Sequence, residues 1–276
     1  MTSLLRLSLL LPLVAIVAHA DIERTLEKSF AIAPGDRVVV DLPGGSIRVS
    51  VGSGPDVKLA LRQRIDASSD AAADDLVAAY NLVTAYDDGT VTVRAKSPKS
   101  NSWFGGWRQK VKFSAELTVP AEVDLDLDTA GGAIKVTGLI SGNIRADTSG
   151  GAIAVTGGTG DLNLDTSGGS ISIEQAFGGV RADTSGGSIR IGYVGPQSTD
   201  VNADTSGGSI TIGVDPAGNW DIDADTSGGG VRIEGLTLVD SKIGRSSAQG
   251  RVNAGGHRLR ADTSGGSITI KATTLE

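Results

Sequence analysis

Val180-Arg181-Ala182-Asp183-Thr184-Ser185-Gly186-Gly187-Ser188-Ile189-Arg190-Ile191 decides the fold. Apolar and polar residues alternate on both sides of Ser185-Gly186-Gly187, which is the period of a β-strand. The inward set is Val180, Ala182 and Thr184 before the link, then Ile189 and Ile191 after it. The two sets have opposite parity, so the link must break the alternation. A corner does that. Glycine suits a corner because it reaches positive φ without steric cost.

The same block recurs. Copies of D-T-[SA]-G-G-[SAG]-[IV] begin at Asp128, Asp147, Asp165, Asp183, Asp204, Asp225 and Asp262, with steps of 19, 18, 18, 21, 21 and 37 residues. A worn copy, Ser246-Ser247-Ala248-Gln249-Gly250-Arg251-Val252, fills the long last step. An outlying copy is Asp41-Leu42-Pro43-Gly44-Gly45-Ser46-Ile47. Inward aliphatics recur at fixed places in every copy, such as Leu162/Leu164 and Ile171/Ile173. Stacked copies therefore bury like against like. The expected fold is all-β: a single-stranded parallel β-helix or solenoid, right-handed by the usual crossover preference, with about eight rungs and one short N-terminal helix. A hairpin meander would not place equivalent residues in register. An outer-membrane barrel needs strands of about 9 to 11 residues with an apolar outer band, and these arms are shorter and polar outside.

Upstream, residues 21–66, 90–96 and 110–119 read as strands. Ala71 to Tyr80 favours a helix, with Ser68 or Ser69 as N-cap. That helix is expected to cap the stack or to lie across its side. The first twenty residues read as a signal peptide: Arg6, the apolar run Leu7–Val17, then Ala18-His19-Ala20. The apolar run is too short to span a bilayer, which takes about 20 residues, and no transmembrane segment is expected in the mature chain. The organisation is then 1–20 signal peptide, 21–120 N-terminal strands, helix and aromatic loop continuous with the solenoid, and 121–276 regular repeats. Export to the periplasm, the cell surface or the medium follows. The chain has no Cys, so no disulfide staples it. The mature charge of −8 (24 basic against 32 acidic residues) argues against nucleic acid as a partner. The C-terminus offers no obvious cap, which leaves end-to-end self-association open.

The repeat carries a column of acids: Asp128, Asp147, Asp165, Asp183, Asp204, Asp225 and Asp262. Neighbours sit about 4.8 Å apart and repel by about 1 kcal/mol per pair even in water. Divalent cations bridging the carboxylates would offset this. So would corner N–H bonds accepted by each Asp as an Asx-turn, which is the favoured reading. These residues are therefore taken as structural corners, with no metal and no cofactor. Trp103-Phe104-Gly105-Gly106-Trp107 gathers three of ten aromatics. Trp103, Phe104 and Trp107 either touch a sugar or membrane interface or plug the solenoid. Outward Thr columns of the ice-binding kind are not expected, because the Thr after each Asp points inward.

The Val119-Pro120 step, the following Leu125-Asp126-Leu127 and the serial Thr-Ser-Gly-Gly-Ser-Ile corners resemble the bacterial putative-adhesin family, an exported β-strand-repeat domain of unknown function. The resemblance covers about residues 35–275. It implies a β-helix-like fold and a cell-envelope setting, and supplies no catalytic residues. The function expected is that of a non-catalytic adhesin or binding scaffold, with a glycan or surface protein as partner. The alternative is a carbohydrate-active β-helix enzyme. Evenly strung acids and a lone mature His257 do not assemble the clustered acid–base pair that such enzymes use.

Overall fold

The computed structural model describes residues 21–98 and 110–275. Residues 1–20, for which a signal peptide is expected, and the aromatic stretch with Trp103, Phe104 and Trp107 lie outside the described residues. The chain begins with β1 (Ile22–Ala31), β2 (Arg37–Leu42), β3 (Ile47–Val51), β4 (Asp56–Ile65), helix α1 (Asp70–Ala78), β5 (Val83–Asp87), β6 (Thr90–Arg94) and β7 (Val111–Val119). The repeats then give β8 (Asp124–Thr129), β9 (Ile134–Ile140), β10 (Ile144–Thr148), β11 (Ile153–Gly158), β12 (Leu162–Thr166), β13 (Ile171–Ala176), β14 (Val180–Thr184), β15 (Ile189–Val194), β16 (Val201–Thr205) and β17 (Ile210–Val214). Last come β18 (Trp220–Thr226), β19 (Val231–Glu234), β20 (Leu238–Ile243), β21 (Ser247–Val252), β22 (His257–Thr263) and β23 (Ile268–Ala272).

Two mostly parallel sheets face each other. Each repeat puts its Asp arm in one sheet, turns at Ser-Gly-Gly, and puts its Ile arm in the other. The Asp sheet runs β20-β21-β18-β22-β16-β14-β12-β10-β8-β2-β6-β5. The Ile sheet runs β1-β4-β7-β3-β9-β11-β13-β15-β17-β23-β19. Parallel pairing in strict register, Val180 on Leu162 and Ile189 on Ile171 for example, excludes the hairpin meander. The inward aliphatics are buried: Leu162, Leu164, Ile171, Ile173, Ile189 and Ile191 are each at most 1% exposed. Burial of one such side chain contributes about 1.5–3 kcal/mol, repeated at each level.

Stacking order is not chain order, and here the expectation is corrected. The last repeat, β22–β23, does not end the rod. It lies between β16–β17 and β18–β19: Asp262 pairs with Asp204 on one side and Asp225 on the other, and Ile268 likewise with Ile210 and Val231. The worn copy is no parallel rung. Ser247–Val252 runs antiparallel along β18, Ala224 opposite Ala248. It lacks the Gly-Gly pair and the Thr of a true corner, so it continues straight. Asn253, Gly255 and Gly256, all at positive φ, then reverse the chain into the inserted rung.

The N-terminal end repeats the device. The rung β2–β3 sits between β6–β7 and β8–β9, with Asp41 opposite Arg94 and Asp128, and Ile47 opposite Ala115 and Ile134. Antiparallel strands close both ends: β1 on β4 and β5 on β6 at one, β20 on β21 at the other.

Helix α1 forms where expected. Ser69 Oγ accepts from Ala72 N at 3.2 Å as the N-cap. Ala73 is fully buried, Arg24 of β1 binds Asp70 and Asp74, and Tyr80 packs edge-on against Phe113. The C-terminus is not an open end, because its rung is interior. Three of the four sheet edges are blunted, and the fourth, ten-residue β1, lies on β4 in unbroken register. Strand β20 carries a register shift at Asp240, whose φ is 48°; β19 has four residues; Lys28 Nζ donates to Thr84 O of edge strand β5 at 2.9 Å. Bulges, short edges and inward charges all discourage edge pairing.

Candidate functional site

The corner column is the most regular surface of the molecule. The backbone registers place Asp41, Asp128, Asp147, Asp165, Asp183, Asp204, Asp262 and Asp225 on one line, in that spatial order. A groove of about 500 Å³ follows the line and is bordered by Asp165, Asp183, Asp204, Asp262 and Asp225 with the Thr and Ser beside them.

The Thr is the keystone of each corner, and the Asx-turn assignment to the Asp column is corrected. Thr184 Oγ1 donates to Gly169 O of the rung below at 2.8 Å and accepts from Gly187 N at 3.3 Å. Thr148, Thr166, Thr205, Thr226 and Thr263 do the same. All are buried, between 1% and 7% exposed. The hydroxyl is inside and the carboxylate outside, so only Thr can reach the corner N–H. The Ser after Gly-Gly makes a second ladder: Ser188 N donates to Ser170 Oγ, Ser209 N to Ser188 Oγ and Ser267 N to Ser209 Oγ, each at 3.2 Å. Carboxylates and amides that do accept backbone N–H bonds sit on the opposite corner. Asp124, Asn143 and Asp161 accept from Asn143, Asp161 and Gly179 at 2.8, 3.0 and 2.9 Å.

The glycine argument is also corrected. In the regular corners neither glycine has positive φ; only Gly44 and Gly45 of the outlying copy do. The need is for close approach. A Cβ on Gly187 would lie 1.9 Å from Gly169 O, and on Gly266 2.1 Å from Gly208 O. The first glycine is roomier: a Cβ on Gly186 would meet nothing nearer than 3.6 Å.

Without backbone donors, the acids lean on side chains. Arg181 contacts Asp183 at 2.8 Å, Arg260 contacts Asp262 at 2.5 Å, and Asn202 donates to Asp204 at 3.0 Å. Rung insertion explains the partners. Read in space, this column runs Asp126, Arg145, Asn163, Arg181, Asn202, Arg260, Asp223, so a cation recurs at every second level. The relief is incomplete. Partial burial first, then the neighbouring carboxylates, raise Asp128, Asp147 and Asp225 above the ordinary carboxylate pKa. Burial also raises Asp183, with Arg181 opposing it. No group of three or more His, Cys, Asp or Glu among the described residues could hold a metal ion.

His257 heads β22, its ring 6.2 Å from that of Trp220, which is fully buried. Sequence reading left Trp220 unassigned. It anchors the end of the stack, with Nε1 donating to Asp215 O at 3.4 Å. No helix among the described residues is long and apolar enough to cross a membrane.

The profile of the Toastrack DUF4097 family matches residues 29–271. The chain belongs to that family. Comparison with curated proteins returns no match. Among solved structures, a putative adhesin from Bacteroides fragilis has 14% identity and a TM-score of 0.46, covering 91% of this chain and 97% of that one. A putative cell adhesion protein from Clostridium sporogenes has 10% identity and a TM-score of 0.32, covering 91% of this chain and 100% of that one. A putative lipid binding protein from Parabacteroides distasonis has 13% identity and a TM-score of 0.36, covering 91% and 97%.

Proposed function

We propose that this Toastrack-family chain is an exported, non-catalytic binding scaffold of the cell envelope, presenting long polar faces to a glycan or a surface protein. One observation carries the reading. The same polar groups recur once per level along a rigid axis, in register, over most of the described chain. Such spacing matches a repetitive partner, each level adding a weak contact, and the sum is avidity. A hydrolase or lyase instead focuses an acid and a base on one bond. Export rests on Arg6, Leu7–Val17 and Ala18-His19-Ala20. We take the coil as right-handed and assign Trp103, Phe104 and Trp107 a further ligand contact.

Purified mature protein screened against envelope and plant polysaccharides, with reducing-end and unsaturated-product assays alongside binding, tests the reading. Binding without turnover is expected. Turnover abolished by one Asp or Arg substitution would overturn it in favour of a carbohydrate-active enzyme.

A further inference from the structure

The outer face of the Ile sheet differs in charge from the acidic column. Near its N-terminal end, β1, β4, β7, β3 and β9 curve into a trough of about 840 Å³. Four cations border it, Lys28, Arg48, Lys58 and Lys135, each exposed, against two acids, Glu27 and Glu116; Lys28 turns its Nζ to Thr84 O, which leaves Arg48, Lys58 and Lys135 for a ligand. Its floor offers the hydroxyls of Ser50, Thr118 and Thr137. An adjoining depression shares Arg48 and Glu116 and adds Arg62, Arg64 and Lys112.

The acids here, Glu27 and Glu116 in the trough and Glu23 beside it, are outnumbered by the cations even with Arg64 held by Asp21. Glu116 is shared by Arg48 at 3.8 Å and Arg62 at 3.6 Å. Lys58, Lys112 and Lys135 have no acid within ion-pair distance among the described residues. The full chain carries a net charge of −7, so a concave cationic surface is a local inversion of sign. Concavity focuses the field and draws anions in.

The occupant follows from what lines the trough. The exposed large apolar residues among those described are Val83, Tyr86, Leu139, Val239, Ile243 and Leu275, and none lines it. A surface that inserts into lipid needs apolar or aromatic side chains; this one has hydroxyls between cations. Five strands span four inter-strand spacings, roughly 19 Å, which suits an extended chain lying along the solenoid axis. We propose that the trough binds a linear anionic polysaccharide, its acidic groups on Arg48, Lys58 and Lys135 and its hydroxyls on Ser50, Thr118 and Thr137. This deepens the scaffold reading and rests on it.

The test uses the mature chain with polygalacturonate as the probe, dextran as the neutral control and phosphatidylglycerol vesicles as the lipid control. Wild type should bind polygalacturonate alone, and salt should weaken the binding. The double variant Lys58→Glu/Lys135→Glu should lose at least about tenfold in affinity with an unchanged Tm. Arg190→Glu/Arg232→Glu, on the same sheet outside the trough, should stay within about twofold. If charge reversal lowers Tm, Lys58→Ala/Lys135→Ala serves in its place. Absent binding, a preference for vesicles, or equal binding by the lysine variant overturns the trough. Equal binding would leave the scaffold reading standing, whereas shortening of the polymer would sink the scaffold reading itself.

Discussion

At the scale of the residue, each letter of the Asp-Thr-Ser-Gly-Gly-Ser-Ile unit has a separate physical task. The second glycine admits the carbonyl of the neighbouring rung, and the first does not. Gly187→Ala should therefore destabilise by more than about 4 kcal/mol, while Gly186→Ala should cost about 1 kcal/mol or less; thermal melts of the two variants check this. The Thr hydroxyl satisfies one buried donor and one buried acceptor. Thr184→Val keeps the shape and strands both, so a loss of about 1–3 kcal/mol is expected. Within the column, Asp147 works against the fold. Its pKa is raised in the folded state, so the native state holds the proton to higher pH than the unfolded chain does. Stability from this group is then full below the ordinary carboxylate pKa and declines as pH rises through the raised value. Asp147→Asn should raise Tm at pH 7, by less than about 1 kcal/mol in stability given solvent screening, and change nothing below pH of about 3. A fall in Tm at pH 7 would contradict the assignment.

At the scale of the element, strands and corners were legible because alternation and the Ser-Gly-Gly parity break are local signals. Helix α1 was legible through Ser69 and the alanines that follow. Stacking order was not. The 37-residue step reads as two periods filled by a worn copy, yet Ser246–Val252 turns back along β18 and the following rung inserts one level down. A faint signal existed: Arg145, Asn163, Arg181 and Asn202 alternate, and Arg260 continues that series only if it precedes Asp223 in space. The Asp column was legible as a line but misread as the corner cap: alternation puts Thr inside and Asp outside, and does not show that the corner N–H faces the Thr side. The cationic trough was missed altogether, since its residues come from β3, β4, β7 and β9, with nothing repetitive to link them. Insertion has a dynamic consequence. Chain termini usually fray, but β23 is paired on both sides. Amides of Ile268–Ile270 should exchange as slowly as those of Ile189–Ile191. Fast exchange there would contradict the pairing.

At the scale of the molecule, the chain threads its first and last rungs into the interior and finishes both ends with antiparallel strands. Each terminal repeat is thereby clamped on both sides, and the long regular edge that remains is ten-residue β1, away from the repeats. The same threading aligns Asp204, Asp262 and Asp225 and sets Arg260 beside them, so the surface chemistry depends on it. One measurement tests it most directly. The chain has no Cys, so engineered pairs are unambiguous. Thr211 and Thr269 are register partners facing outward, and Thr269 separates Thr211 from Arg232. Adjacent strands lie about 4.8 Å apart, within disulfide reach, and two levels exceed it. Under mild oxidation Thr211→Cys/Thr269→Cys should cross-link in the folded protein, and Thr211→Cys/Arg232→Cys should not. The reverse result, a bond between positions 211 and 232, would mean that the repeats stack in chain order and would contradict the account.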